Sequence, residues 1–319
     1  MAKRLQLRRG TTAEHSTFTG AVGEVTVDTD KDTIVVHDGA TDGGIPMARA
    51  DKLSGFKNHI INGGFDVWQR GTSFDGDHDG FSADRWILAA DDDDHDFTLS
   101  KDIKGAKCEI GSTLSENFLL KQPMENLNRF VNKTMTLSVT IEAEVDTVIE
   151  LGSVSQQTDS NYSYDSSQSG IFTVLAGSTQ RLSKTIDIPD LFPSDAKDPV
   201  NSFCQFYVNI LTESSVGVSY IRDVQLEEGS VATPFEQRPY GLELSLCQRY
   251  YLQDYVTIIA AIDYELYCFP STMRTQPTVE LPVDWTVEND ASTNWHRLKR
   301  NTGGYGGTVK IDAELSYVY

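Results

Sequence analysis

The chain has 319 residues, a formal net charge of −20 and an isoelectric point near 4.6. Hydrophobic residues make up 39% and charged residues 23%, which excludes wholesale disorder, and the length predicts two or three domains. The acidic charge repels nucleic-acid backbones and anionic lipid surfaces, so no nucleic acid is expected as a partner.

The N-terminal sequence MAKRLQLRRGTT carries charge without an apolar segment behind it, and no stretch reaches the roughly 18 apolar residues of a membrane helix. We therefore expect a soluble polypeptide made in the cytoplasm, with no membrane insertion. The cysteines lie far apart, without C-x-x-C spacing and among apolar neighbours, which favours buried free thiols over disulfides or zinc. They are Cys108, Cys204, Cys247 and Cys268.

Residues 1–54 are predicted to form a small N-terminal β-domain. The sequence GEVTVDTDKDTIVVH contains two β-branched runs around the polar turn Thr29–Asp32, a pattern that predicts a hairpin between Gly23 and His37. The polar segment Met47–Lys57 predicts a linker, and we place the domain boundary near Ser54.

Residues 55–238 contain many short β-type runs at regular spacing, which predicts an antiparallel sandwich. In TMTLSVTIEAEV, apolar residues from Met135 to Val145 alternate with polar residues from Thr134 to Glu144. This alternation predicts one face in the core and one face in solvent. The serine-rich stretch from Gly152 to Gly170 predicts a long loop or an irregular edge, and long loops are a common place for binding residues.

Residues 239–319 are predicted to form a short helix followed by a small distal β-domain. Pro239 precedes GLELSLCQRYYL, from Gly241 to Leu252, in which Leu242, Leu246 and Tyr250 have helical spacing. An alternating run, YVTIIAAIDYELYCF, and a GGYGG turn before TVKIDAELSYVY then predict strands. The expected fold class is mainly β throughout.

Several of these motifs resemble one family. Residues 5–41, LQLRRGTTAEHSTFTGAVGEVTVDTDKDTIVVHDGAT, resemble the N-terminal domain shared with phage tropism determinants. NHIINGGFDVWQRGTSF with ADRW (Ala83–Trp86), and VQLEEGSVATPFEQRPYGLELSLCQRYY, are similar to the jelly-roll sandwich and helix of many phage tail-fibre proteins. FPSTMRTQPTV and IDAEL resemble the end of that family, whereas Asp91 to Ala232 matches in pattern only.

This resemblance implies a component of the virion tail, usually a homotrimer. Its N-terminal part would dock to other tail or baseplate proteins, and its distal part would meet a bacterial surface glycan or protein receptor. NGGFD and YIRDVQLEEG also resemble the first and last strands of jelly-roll carbohydrate-binding modules. That second resemblance implies a structural calcium held by Asp66 and Asp223, with no other cofactor required.

A second calcium candidate is DGDHDG, whose D-x-D-x-DG pattern places Asp75, Asp77 and Asp79 at alternating positions. An EF-hand loop needs glutamate at its twelfth position, where this chain has Trp86, and no helix pattern flanks the loop. A polar turn is therefore favoured over calcium. The acidic run at 91–96 is likewise favoured as a solvated loop.

Trp68, Arg70, Arg85 and Trp86 have the chemistry of a sugar platform. Both tryptophans lie in the motifs that resemble other fibres, so we predict that they pack in the sandwich core. Aromatic side chains in polar surroundings are better ligand-binding candidates. These candidates are Tyr162, Tyr164, Trp285, Trp295, His296 and Tyr305.

No G-x-S-x-G, H-E-x-x-H, P-loop or Rossmann motif is present, and GGYGG lacks the strand–turn–helix context of a phosphate site. The sequence therefore predicts a non-enzymatic tail-fibre subunit that binds a host receptor multivalently. A polysaccharide depolymerase stays an alternative, because a glycosidase needs only two carboxylates across a cleft. A purely architectural baseplate or capsid-decoration protein is the other alternative.

Overall fold

The computed structural model describes part of the chain: residues 6–47, 56–76, 78, 80–90, 96–112, 117–125, 129–158, 161–164, 168–188, 203–256, 264–268, 270, 272–274, 277–282, 285–287, 295–300 and 307–313. Contacts divide the chain into two compact units, Met1–Lys57 and Asn58–Tyr319. The predicted boundary near Ser54 lies outside the described residues. Strands dominate both units, so the mainly β prediction is confirmed.

The first unit is a four-stranded sheet with a one-turn helix. Its elements are β1 (Arg8–Gly10), α1 (Thr12–His15), β2 (Val25–Asp28), β3 (Thr33–Val36) and β4 (Ile45–Pro46). The strands are ordered β1-β2-β3-β4, with β1 parallel to β2 and the other pairs antiparallel. The predicted hairpin is confirmed as β2 and β3. The sequence did not reveal α1, because four residues are too few for a helical pattern.

The buried face of this sheet is mainly polar, with Val35 beside Thr26 as its apolar member. His15, Thr26 and His37 are buried, and the Thr26 hydroxyl lies 2.9 Å from Nε2 of each histidine. Nδ1 of His15 lies 3.0 Å from the carbonyl oxygen of Thr11, and the Gly20 N–H donates to Nδ1 of His37 at 3.2 Å. These hydrogen bonds satisfy polar groups that would otherwise be costly to bury.

The opposite face of the same sheet is apolar. Cross-strand pairing joins Val27 to Ile34 and Val36 to Ile45, so these side chains share one face. Ile34 is 48% exposed, and Ile45 and Met47 are each 53% exposed. We call this surface the apolar face: Val25, Val27, Ile34, Val36, Ile45 and Met47.

The second unit begins with an antiparallel sandwich. Its described strands are β5 (Ser73–Asp75), β6 (Gly80–Phe81), β7 (Ile87–Ala90), β8 (Phe97–Asp102), β9 (Gly105–Ile110), β10 (Phe118–Glu125), β11 (Lys133–Ala143), β12 (Thr147–Thr158), β13 (Asn161–Tyr164), β14 (Gly170–Val174), β15 (Ser178–Ile188), β16 (Phe203–Ile210) and β17 (Gly217–Glu228). One sheet has the order β13-β12-β16-β10-β7-β6, with β14 also on β12, and the other has the order β15-β11-β17-β9-β8-β5. Their inner faces meet in one core, where Phe97 and Phe118 stack at 3.8 Å.

Strand β11 confirms the predicted core face, since its apolar residues from Met135 to Ala143 are buried. The predicted solvent face is only partly correct, because Thr136 and Ser138 are also buried. The chain after β17 and the side chain of Arg181 cover them. Thr136 donates to the carbonyl oxygen of Gly229 at 2.6 Å, and Nη2 of Arg181 donates to Ser138 at 2.8 Å.

Of the two predictions for Gly152 to Gly170, the long loop is wrong for most of the described part, whereas the irregular edge agrees with β13, which ends its sheet and pairs with a shifted register. Strand β12 continues to Thr158, and β13 pairs back onto it. Strand β16 pairs with β12 from Ile149 to Gln156. Ladder hydrogen bonds join backbone groups, so a serine- and glutamine-rich segment can form a strand that its composition does not predict.

The sandwich is followed by α2 (Tyr240–Gln248), which confirms the predicted helix after Pro239. The helix ends earlier than predicted, because a strand starts at Tyr251. The remaining strands are β18 (Tyr251–Val256), β19 (Tyr264–Cys268), β20 (Thr278–Glu280), β21 (Trp285–Val287), β22 (Trp295–Arg300) and β23 (Gly307–Asp312). They form two small sheets, β18-β23-β20 and β19-β22-β21.

A buried ion pair fixes α2 to the sandwich. Nη1 of Arg238 lies 3.1 Å from Oε1 of Glu243 and donates to the carbonyl oxygen of Ile60 at 2.9 Å. The same Glu243 oxygen accepts the N–H of Asn62 at 2.5 Å. The segment that leads into the sandwich and the first turn of the helix therefore share one charged cluster.

Cys108, Cys204 and Cys247 are buried free thiols, as predicted, and Cys268 has its side chain outside the described residues. Burial raises the pKa of Cys108 to about 12, which keeps it an unreactive thiol. Within the described ranges, no helix has the length and hydropathy to cross a membrane.

Candidate binding site

A cavity of about 390 Å³ lies between the sandwich and the sheet of β18, β23 and β20, all within the second unit. This volume lies in the usual range of small-molecule sites, roughly 300–1,000 Å³. We call the cavity the cleft. The sandwich and the terminal sheet both contribute to its lining: Arg70, Phe74, His78, Phe81, Tyr251, Gln253, Thr278, Glu280, Lys310 and Asp312.

Arg70 is a lining residue of the cleft with three close partners. Its guanidinium carbon lies 3.6 Å from the centroid of the Tyr251 ring and 4.9 Å from that of Phe81. Its Nη2 donates to Oδ2 of Asp312 at 3.2 Å. Two aromatic rings and a carboxylate therefore hold the guanidinium in one orientation.

A second ion pair lies at the rim of the cleft. Lys310 and Glu280 are directly opposite on β23 and β20, and Nζ lies 3.0 Å from Oε2. Both side chains are well exposed, so this pair contributes little to stability. It does place a donor and an acceptor side by side facing solvent.

The Tyr251 ring is nearly buried, and burial raises the pKa of its phenol. The neutral hydroxyl donates to Oε1 of Gln253 at 3.2 Å. On the sandwich side, Nε2 of His78 donates to the carbonyl oxygen of Phe81 at 3.1 Å. These hydrogen bonds orient three polar side chains around the cleft before any ligand arrives.

Behind the cleft, the ADRW motif ties the sandwich to the terminal part. Asp84 accepts the N–H of Gln69 at 2.7 Å, and Nε2 of Gln69 also donates to the carbonyl oxygen of Tyr251 at 2.9 Å. Burial raises the pKa of Asp84. Trp86 and Trp68 belong to the sandwich core, which confirms the packing role predicted for both.

The predicted ligand-binding aromatics do not line the cleft where they are described. Trp285 is only 8% exposed and packs in the terminal core with Leu252 and Val309, so its ring is not a surface platform. The other predicted aromatics cannot be placed as side chains. Tyr162 and Tyr164 lie on β13, and Trp295 and His296 on β22, with their side chains outside the described residues; Tyr305 lies outside them entirely.

The sequence did not single out most of the cleft residues. Its sequence context predicts sugar-binding chemistry for Arg70, but no sequence pattern indicates its partners Tyr251 and Asp312. Arg70 and Asp312 are 242 positions apart in the chain, a separation that no local pattern spans. Sequence spacing therefore contained no signal that could join them.

The two carboxylates predicted to hold calcium come from adjacent segments. The N–H of Val224, next to Asp223, donates to the carbonyl oxygen of Gly63, three residues before Asp66, at 2.9 Å. Asp66 is exposed, and Oδ2 of Asp223 lies 3.8 Å from Nε of Arg222. In the described part of the chain no three acidic, histidine or cysteine side chains converge on a metal position. These side chains alone do not form a calcium shell, which takes six to eight oxygens.

The second calcium candidate is described only in part. Asp75 is exposed at the end of β5, while Asp77 and Asp79 lie outside the described residues. His78 between them faces the cleft. The DGDHDG segment therefore contributes to the cleft wall through its histidine.

Comparison with known proteins gives a match at the N-terminus. Residues 5–41 match the family model described as Major tropism determinant N-terminal domain, which confirms the resemblance found in the sequence. Over 51 residues the chain is 67% identical to the tail fiber receptor-binding protein of Bordetella phage BPP-1. That match covers 16% of this chain and 13% of the relative.

Two solved structures are weakly similar to the chain. A CBM4 carbohydrate-binding module is 17% identical with a TM-score of 0.33, over 53% of this chain and 99% of that chain. The U1 variant of the major tropism determinant is 25% identical with a TM-score of 0.15, over 46% of this chain and 29% of that chain.

Proposed function

We propose that this chain is a subunit of a bacteriophage tail fibre, located in the virion tail, that attaches the virion to a bacterial surface receptor without catalysis. The observation that carries the proposal is the 67% identity of its N-terminal segment to a tail fiber receptor-binding protein. The first unit would dock to other tail or baseplate proteins. The second unit would present the receptor-binding surface.

The apolar face supports a homotrimer. Monomeric proteins rarely leave a continuous apolar sheet surface in water, and such surfaces usually mark protein interfaces. Here three half-exposed residues, Ile34, Ile45 and Met47, lie on one face of a small sheet. Copies of the same chain related by a threefold axis would bury that face. Three linked receptor sites would then raise avidity by about 10²–10⁴ over a single weak site.

The cleft supports binding rather than hydrolysis. Its carboxylates, Asp312 and Glu280, each contact a cation at 3.0–3.2 Å, so both are paired with a positive charge. A depolymerase would need one carboxyl group to deliver a proton and a second to act on the sugar. The proposed role of the cleft is recognition.

The test uses the full chain, fluorescently labelled, on a panel of bacterial strains that includes Bordetella. We expect saturable labelling of at least one strain and reduced phage adsorption to that strain in the presence of the unlabelled chain. Labelling without any effect on adsorption would favour an architectural role. Steady release of reducing ends from purified surface polysaccharide would establish a depolymerase instead.

A further inference from the structure

We propose that the cleft binds an uncharged, hydroxyl-rich sugar unit of the bacterial surface glycan. This inference rests on the proposed function and adds the position of the site and the class of ligand. The cleft, and not the predicted aromatics on β13 and β22, is the receptor site in this proposal.

The charges of the cleft argue for a neutral ligand. Its two cations, Arg70 and Lys310, are each matched by a carboxylate, from Asp312 and Glu280. An acidic sugar would have to displace one of these carboxylates or sit beside it, at a cost in repulsion. A neutral sugar meets no such penalty and can use the exposed oxygens and N–H groups of both pairs.

The polar groups of the cleft suit hydroxyls, which both donate and accept. Gln253 and Glu280 offer exposed oxygens, and Lys310 offers donors on the same rim. Carbohydrates present several hydroxyls on a compact ring, so a site for them needs donors and acceptors close together. The cross-strand pair of Lys310 on β23 and Glu280 on β20 provides that arrangement.

The apolar part of the lining suits the C–H faces of a pyranose ring. Phe74 and Phe81 are half-buried on the sandwich side of the cleft, and the Tyr251 ring forms part of the opposite side. Arg70 is held between Phe81 and Tyr251, so the wall is already ordered and binding loses little side-chain entropy there. The volume of about 390 Å³ suits a small ligand, such as one sugar unit of a longer glycan.

The experiment compares wild type with the double variant Gln253→Ala/Glu280→Gln. Both side chains are exposed, so the fold should survive, as a thermal melt would verify. The matched control is Glu109→Gln, which removes the charge of an exposed pair with Lys107 at 2.6 Å on β9, outside the cleft. The neutral probes are methyl glucoside, galactoside and mannoside, and the acidic probes are glucuronate and N-acetylneuraminate. Saturation-transfer NMR measures the binding of each probe.

We expect wild type and Glu109→Gln to bind at least one neutral glycoside and the double variant to bind it about tenfold more weakly, since the hydrogen bonds to the Gln253 amide are lost and those to position 280 are no longer charge-assisted. Binding of acidic sugars only, or of none of the five, would overturn the inference. Equal binding by wild type and the double variant would also overturn it. The bacterial labelling assay separates the two proposals. If the double variant labels cells as strongly as wild type does, the proposed function stands and the cleft is excluded as the receptor site.

Discussion

The guanidinium carbon of Arg85 lies 3.6 Å from the centroid of the Tyr250 ring, although Arg85 belongs to the sandwich and Tyr250 follows α2. Arg85 is 1% exposed, and its Nη2 donates to the carbonyl oxygen of Pro123 on β10 at 2.6 Å. One buried cation thus contacts two parts of the second unit. The terminal sheets start directly after this contact, at Tyr251.

Arg85→Lys should destabilise the second unit by about 2–3 kcal/mol, because lysine keeps the charge but loses the planar stack and the forked donors. Urea unfolding would measure this loss. Arg222→Lys is the matched control, since Arg222 lies in a part-exposed pair with Glu142 at 2.8 Å, where the same change should cost less than about 1 kcal/mol. Equal losses for the two variants would count against the stacking role.

Glu243→Ala should cost about 3–5 kcal/mol, because it leaves the buried Arg238 without the carboxylate that it contacts at 3.1 Å. It also removes the acceptor of the Asn62 N–H. Glu109→Ala, in an exposed pair, should cost about 0–1 kcal/mol. The midpoints of urea unfolding would show the difference, and a midpoint for Glu243→Ala close to wild type would refute the role of the pair.

Asp84 should make stability depend on pH. Burial raises its folded-state pKa above the ordinary value of 3.8, so the folded state holds the proton more tightly than the unfolded state. Its contribution is therefore largest below pH 3.8 and is lost as the pH rises through the raised pKa. Relative to Asp84→Asn, wild type should lose stability on going from acid to neutral pH. Parallel curves of unfolding free energy against pH would contradict this sign.

Calcium at Asp66 and Asp223 remains a prediction with a direct test. If main-chain oxygens complete the shell, a chelator should lower the melting temperature of wild type, and added calcium should restore it through ligand linkage. The Asp223→Ala variant should have the same melting temperature with and without chelator. A wild-type melt that chelator leaves unchanged would exclude calcium at this position.

The apolar face makes a prediction about assembly. If the apolar face forms the proposed trimer contact, Ile34→Asp should shift the chain towards monomer in native mass measurements, because a charge would be buried at each subunit contact. Ile103→Asp is the matched control, since Ile103 is fully exposed at the turn between β8 and β9 of the sandwich. The same oligomeric mass for both variants would exclude the apolar face as the subunit contact.

Local patterns in the sequence predicted local structure well. The alternation from Met135 to Ala143 gave the core face of β11, and Pro239 marked the start of α2. Prediction failed where tertiary contacts decide. The alternation predicts an exposed Thr136, but the chain near Gly229 covers it. The serine-rich β12 is a strand because neighbouring strands pair with its backbone.

The candidate site was less predictable than the fold. Aromatic residues in polar sequence were a reasonable guess, but Trp285 illustrates that composition cannot distinguish a surface ring from a core ring. The Arg70–Asp312 contact joins the two ends of the second unit, and only folding creates it. Sites of this kind need the topology before their members can be named.

For neutral rings, the hydrogen-bonded series His15–Thr26–His37 inside the first unit has one consistent direction. His15 must donate from Nδ1 to the Thr11 carbonyl, so its Nε2 receives the Thr26 proton, and Thr26 in turn receives the proton on Nε2 of His37. Nδ1 of His37 is then free of hydrogen and accepts from Gly20. A single hydroxyl therefore orients both imidazole rings, and Thr26→Val would leave two ring nitrogens facing a methyl group.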